Sequence, residues 1–334
     1  GTQYAMPHSI RRLRESGYLA KDMYKKETPL VPTNAGMILV FTSFISISLM
    51  PLLSRIFSFI SNLEVNMIDL SEANLAFLLV ISIYALYGLV DDLVDIGRIL
   101  KLVLPVTFSY PLISVINPQI IWIPFFGEKI LDDILFLEIT GNDIVRFVIV
   151  PIYVMVVSNL VNMHSGYNGL QSGLSIILLT TLLIKSWQLN TLTNIIPSAA
   201  FLGSMFAFWL FNKYPSKVFE GNIGSLLFGS VIGCTIVIQE YWWFGFFILI
   251  PHTFNFILWL IWLVMIKVDP GNYLEKDGNH RKFGYIADNS IIQVPNRLTL
   301  KWIPNYYFKL EEKFSVIIQY IISLLFCVIG IVIF

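Results

Sequence analysis

Nine stretches of mostly apolar residues, each long or nearly long enough to cross a bilayer, divide this sequence. They run approximately over 36–53, 74–90, 102–116, 144–161, 173–187, 195–211, 224–239, 243–266 and 314–334, with 102–116 and 173–187 the weakest. A spanning helix needs about 20 largely apolar residues, and lipid tolerates only structures that satisfy their own backbone hydrogen bonds. The chain is 56% hydrophobic and only 13% charged, whereas a soluble domain carries about a quarter charged residues. The expected fold is therefore all-α, a polytopic membrane helical bundle forming a single domain over residues 1–334. Outside the spans lie a basic segment at 1–35 and a long polar loop at 267–313. Pro105, Pro111, Pro151, Pro197 and Pro251 fall in or beside spans, where neighbouring helices can satisfy the freed carbonyls. Cys234 and Cys327 sit inside apolar runs without metal-ligand spacing and read as small buried hydrophobes.

Charge gives the orientation. Alternating the nine spans puts 1–35, 91–101, 162–172, 212–223 and 267–313 on one side, and these segments hold all of the 22 lysines and arginines except Arg55, Lys129, Arg146 and Lys185. Basic loops stay in the cytoplasm, so this side is expected to be cytoplasmic, with the N-terminus inside and the C-terminus outside. A net charge of zero says nothing by itself about nucleic-acid or acidic partners, the distribution of charge mattering more; no nucleic acid is expected as a partner.

The same side carries the unusual polar clusters. The second span ends in Asp91, Asp92 and Asp95, followed by Arg98 and Lys101. On a continuing helix Asp91 and Asp95 share a face, and three such carboxylates repel unless a cation or proton intervenes. A divalent metal with a phosphate substrate is one solution; a solvated helix end neutralised by Arg98 and Lys101 is the other. The second cluster runs from Ser158 and Asn159 through Asn162, His164, Gly166, Asn168 and Gly169 to Gly173. Glycines there suit a backbone that approaches a ligand closely, and amides can bind a metal or a base edge without adding charge. A third cluster spans Asn212 to Gly224. The long fourth loop contains Asn279, His280, Arg281 and Lys282, an anion-binding patch that by itself is more often a lipid-headgroup contact. Carboxylates, amides and bases gathered on one face suggest Mg²⁺-dependent phosphoryl chemistry at the interface.

Taken in order, these segments resemble the polyprenyl-phosphate N-acetylhexosamine-1-phosphate transferase family, nearest to its eukaryotic and archaeal UDP-GlcNAc–dolichyl-phosphate branch. The likeness is carried by Gly88 to Asp92 with Lys101 to Pro105, by Asn159 to Asn162 with Gly166 to Leu170, and by Tyr214-Pro215-Ser216-Lys217-Val218-Phe219 with Glu220 to Asn222. Phe254-Asn255-Phe256 also fits. The resemblance implies ten spans, the first preceding the present residue 1, and transfer of GlcNAc-1-phosphate from UDP-GlcNAc to a dolichyl or other polyprenyl phosphate. UMP is released, in the first membrane step of lipid-linked glycan assembly for N-glycosylation. It further implies Mg²⁺ (or Mn²⁺) as cofactor and a homodimer in an archaeal plasma membrane or the endoplasmic reticulum. Asp91, Asp92 and Lys101 would be catalytic and Asn162 and Asn222 metal ligands. Asn159, Asn168, Phe219, His280 and Arg281 would bind substrate, Asn168 reading uracil and Phe219 stacking on it.

Two positions depart from the family pattern. Asn222 stands where relatives have an Asp metal ligand, a change that weakens divalent binding, and Thr33 follows Pro32 where relatives have an acid. His8 and His252 read as packing or headgroup contacts, and Tyr241, Trp242 and Trp243 as an aromatic belt. Asp132 and Asp133 lie on the face away from the nucleotide and read as a solvated hairpin or short loop. Two other readings stand beside the main one. A phospho-N-acetylmuramoyl-pentapeptide transferase acting on undecaprenyl phosphate would carry a histidine-rich last loop, where this chain has only His280. A transporter would place its polar residues near mid-membrane.

Overall fold

The computed structural model describes residues 1–61, 70–94, 96–123, 127–131, 135–136, 139–273, 283–286 and 290–334. Asp95, Asp132, Asp133 and the patch Asn279, His280, Arg281 and Lys282 lie outside the described residues, as does the side chain of Arg98.

Helix α1 (Thr2–Glu15) leads into a hairpin of β1 (Leu19–Lys21) and β2 (Leu30–Pro32), with Ala20 opposite Val31. Helices α2 (Gly36–Ser61), α3 (Glu72–Val94) and the shorter α4 (Arg98–Phe108) follow, and a 3-10 segment at Tyr110–Ser114 extends α4. Hairpins of β3 (Ile120–Ile123) with β4 (Gly127–Ile130), and of β5 (Leu135–Phe136) with β6 (Ile139–Thr140), precede α5 (Gly141–Ile144). Thr140 starts α5 with a capping box: its hydroxyl accepts from Asp143 N, and the Asp143 carboxylate accepts from Thr140 N. A π-helical turn joins α5 to α6 (Val150–Met163), so that Gly141–Met163 forms one apolar rod. Then come α7 (Leu170–Gln188), α8 (Ile196–Asn212), α9 (Gly221–Ile238), α10 (Trp242–Ile248), α11 (Ile250–Val268) and the single turn α12 (Pro270–Tyr273). The strands β7 (Tyr285–Ile286) and β8 (Ile292–Gln293) pair before α13 (Trp302–Phe308) and α14 (Glu312–Ile333).

This is an all-α polytopic bundle, its strands among the described residues confined to two-stranded hairpins. Eight helices among the described residues are long and apolar enough to cross a membrane. Helix α11 shows the lipid-facing signature: Ile257, Leu260, Ile261, Val264 and Val268 are all exposed along it. Water would not tolerate such a stripe.

Two of the nine runs fold differently from their expected form. The run at 102–116 is not one long helix. It is α4 plus the 3-10 segment, with Pro111 at the start of the latter depriving the chain of a helical donor. It still carries the chain across. Asp92 at the end of α3 and Asn162 at the end of α6 line the same cavity, whereas Trp122 of β3 packs edge-on against Trp243, beyond the far end of α9, at 6.2 Å. The chain therefore crosses between Gly97 and Ile120. The run at 243–266 breaks at Leu249 into α10 and α11, with Pro251 in the first turn of the second helix, where its missing N–H costs nothing.

Helix α9 is the axis of the bundle. Of its apolar window 83% is buried, against 22% for α11. Its glycines explain why. A Cβ at Gly229 would sit 2.5 Å from Ser158 Cα of α6, and one at Gly233 would sit 3.2 Å from Val154 Cα. Small residues let backbones approach closely where lipid supplies no hydrophobic drive between helices.

Candidate active site

Where the end of α3 meets the start of α9, two backbones nearly touch. A Cβ at Gly88 would lie 2.5 Å from Asn222 O and 2.6 Å from Ile223 Cα, so only glycine allows this approach. One turn further, Asp91 and Asp92 reach α9 from the side. Asp92 Oδ1 accepts from Asn222 N at 3.1 Å and its Oδ2 from Ile223 N at 3.3 Å. It thus caps a helix that is not its own and neutralises that helix's positive end. Asp91 is fully engaged in another direction. Its Oδ1 takes Lys101 Nζ at 2.8 Å and Ile96 N at 3.0 Å, and its Oδ2 accepts from Asn222 Nδ2 at 2.9 Å. The Asn222 amide nitrogen is committed to Asp91, whereas its Oδ1 accepts no hydrogen bond from the described residues. Gly221 has φ +71, and a Cβ there would sit 2.9 Å from Asp92 Oδ2; the chain must enter α9 through a conformation that favours glycine.

These residues open onto a cavity of about 360 Å³. Asp92, Asn162, Asn168, Phe219 and Asn222 all line it, drawn from α3, α6, the α6–α7 loop and the segment before and into α9. The Asn162 side chain is half-buried and makes no hydrogen bond among the described residues, which leaves its amide to a ligand. Asn159 does not line the cavity. Its Nδ2 turns back to Met155 O at 2.9 Å on its own helix. Lys101 stands behind Asp91 rather than on the wall. Glu220 lines the wall as well; burial pushes its carboxyl up to about 7, and the hydrogen bond from Asn212 only partly offsets this.

Asn168 is a clamp. Its Nδ2 donates to Asp22 Oδ2 at 3.1 Å, its Oδ1 accepts from Ser216 N at 2.9 Å, and its own N–H donates to Glu312 Oε1 at 2.6 Å. One side chain therefore fixes the β1–β2 turn and the α8–α9 segment against the cavity. Asn168→Ala is expected to destabilise the fold by about 2–4 kcal/mol, the loss of two hydrogen bonds of which one goes to a buried carboxylate. A lowered midpoint in thermal unfolding checks this; an unchanged midpoint would refute the clamp.

Further residues on and behind the wall are not among the expected site residues. Tyr24, in the β1–β2 turn, meets Tyr167 edge-on with ring centroids 4.7 Å apart, and both line the cavity. Behind them Lys25 pairs with Asp22 at 3.3 Å and with Glu312. Lys301 Nζ donates to Ser165 O at 2.7 Å and faces the rings of Tyr24 and Tyr167 at 5.8 and 5.6 Å. Burial pushes its ammonium down to about 8, with Glu312 opposing, and pushes the Tyr24 phenol up to about 12. His164, next in the chain, is buried against His252 at 4.6 Å, and burial holds its imidazole well below the usual range. Asp22, Tyr24, Lys25, Lys301 and Glu312 lie in the polar segments 19–33 and 290–313, outside every motif, whereas His164 and Tyr167 belong to the second polar cluster.

A family profile described as glycosyl transferase family 4 matches residues 74–240, the stretch from α3 to the end of α9 that holds Asp91, Asp92, Asn162, Asn168 and Asn222. The chain is similar to a protein of Saccharolobus solfataricus provisionally designated a UDP-N-acetylglucosamine–dolichyl-phosphate N-acetylglucosaminephosphotransferase. The two are 33% identical over 255 residues, 75% of this chain and 71% of the relative. A protein of Sulfolobus acidocaldarius with the same provisional designation is 32% identical over 252 residues, 73% of this chain and 70% of its own length. The phospho-N-acetylmuramoyl-pentapeptide-transferase of Listeria innocua is 28% identical over 225 residues, 66% of this chain and 64% of the relative.

Proposed function

Because this chain belongs to glycosyl transferase family 4, we propose that it transfers GlcNAc-1-phosphate from UDP-GlcNAc to a dolichyl or related polyprenyl phosphate. An oxygen of the lipid phosphate forms a bond to the β-phosphorus, the bond from that phosphorus to the bridging oxygen breaks, and UMP leaves with the electron pair. The observation that carries this reading is the α3–α9 junction, where Asp92 and Asn222 meet at a helix N-terminus that opens onto a cavity also lined by Asn168 and Phe219.

Asp92 already caps the first turn of α9, so in this reading the diphosphate lies in the cavity beside that capped turn with its charge offset by the divalent ion the wall would hold, and Phe219 offers a face on which the base can stack. Asn168, with both amide ends committed, holds the wall against which the base lies. A lipid phosphate monoester is largely ionised at neutral pH, its second pKa being about 6, so orientation matters more than a strong base. Asp92, on the wall, faces the attacking phosphate. Asp91, bonded to Lys101 and Asn222, sets both of them in place. Lys101, paired with Asp91 behind the wall, acts on the site through that carboxylate rather than by touching phosphate.

The oxygen donors on the wall suit a hard divalent ion, Mg²⁺ or Mn²⁺: the Asp92 carboxylate and the amide oxygens of Asn162 and Asn222. When bound, it would neutralise charge on the diphosphate. Among the described residues no three Asp, Glu, His or Cys side chains form a ready cage, so substrate phosphate oxygens would complete the shell. The excess of lysine and arginine on this side supports a cytoplasmic site.

The test is incubation of purified protein with labelled UDP-GlcNAc, dolichyl phosphate and Mg²⁺. The expected result is a chloroform-soluble labelled product with UMP released, abolished by EDTA. Label entering lipid only from UDP-N-acetylmuramoyl-pentapeptide with undecaprenyl phosphate would transfer the assignment to that branch. Sugar or ion flux without UMP release would make the protein a transporter.

A further inference from the structure

On the side opposite the cavity, the ends of α7, α9, α10 and α14 close with β3 around a second groove, of about 590 Å³. Lys185 lies in its wall, fifteen residues along α7 from the site end at Leu170 and so about 22 Å away along the axis. The residue is only 8% exposed. Its Nζ lies 6.0 Å from the centroid of the Phe244 ring, and among the described residues it has neither a carboxylate partner nor a hydrogen bond. Glu240, in the turn that leaves α9, lines the same groove and is likewise without a cationic partner among the described residues. Trp122, Trp242, Trp243 and Phe334 complete the walls, and the apolar rim at Ile120, Leu189 and Ile333 is exposed.

The Lys185 side chain is buried along most of its length, Glu240 is exposed at the mouth, and among the described residues neither meets a group of opposite charge; the groove thus presents two complementary charges to a ligand. We propose that the groove binds the headgroup of a zwitterionic phospholipid from the leaflet facing away from the candidate site. Lys185 takes the phosphate. Glu240 and the neighbouring indole faces take the amine. The exposed rim takes the first methylenes of the acyl chains, which a free phosphate ion could not cover. A headgroup carrying only negative charge would leave Glu240 without a partner and repelled. The site is independent of the transferase reading and lies outside its machinery.

The experiment is native mass spectrometry of the full chain released from nanodiscs of equal phosphatidylethanolamine and phosphatidylglycerol. The wild-type protein is expected to retain phosphatidylethanolamine in preference. Lys185→Met should lower that retention at least tenfold, Lys185→Arg should keep it, and Glu240→Gln should shift the preference toward phosphatidylglycerol. If Lys185→Met fails to fold, Lys185→Gln serves in its place. Retention by the methionine or glutamine variant equal to wild type would overturn the proposal. Equal retention of diacylglycerol, or displacement of the lipid by inorganic phosphate, would overturn it too.

Discussion

Asp92→Asn is expected to lower kcat/KM for UDP-GlcNAc by about 10²–10⁴, the range over which a positioned acid–base or charge-bearing group acts. The carboxylate accepts two backbone N–H groups of α9 and is the only one of the adjacent acid pair on the cavity wall. An asparagine keeps the shape but turns an NH₂ toward one of those donors, at a cost of about 1–2 kcal/mol in stability. Measuring activity beside the thermal midpoint separates the two effects. A variant that retains its midpoint within a few degrees and more than a tenth of wild-type activity would remove Asp92 from the chemistry.

Asn222→Asp should produce a change of the opposite kind. The Asn222 amide donates to Asp91 Oδ2 at 2.9 Å; an aspartate would bring a second carboxylate oxygen to that place. Two carboxylates so close need a cation between them. The variant is therefore expected to melt lower than wild type in EDTA and to recover when Mg²⁺ is added. The Mg²⁺ concentration for half-maximal activity should fall about tenfold, or ~1.4 kcal/mol in binding. A Mg²⁺ titration of activity and a melting curve with and without chelator read both arms. If neither depends on the substitution, residue 222 is no part of a metal site.

The sequence reveals the bundle because lipid imposes so simple a rule on it. Runs of apolar residues become helices, and the polar residues that interrupt them collect at one end. Asp92, Asn162, Asn168, Phe219 and Asn222 lie far apart in the chain yet share one wall, because the spans that carry them all reach the same face. What stays hidden depends on contacts no local pattern announces. Lys25 meets Glu312 across 287 residues, and Lys301 holds the loop after α6 through a single carbonyl. Asn159 sits in helical register with Asn162, but its amide folds back on its own helix instead of reaching the cavity. The break between α10 and α11 falls at Leu249, two residues before Pro251, inside what the apolar run 243–266 presents as one span.

The glycine-lined burial of α9 has a consequence for how such a protein can change. The helix whose first turn meets the cavity touches lipid least, while α2, α11 and α14 present most of their surface outward. Residues on those outer faces can be exchanged, one apolar side chain for another, without altering the position of Asn222 relative to Asp91. The geometry of the phosphate end is set by contacts inside the bundle, among them Gly88 against Asn222, Gly229 against Ser158 and Gly233 against Val154, and it holds provided that these glycines remain small.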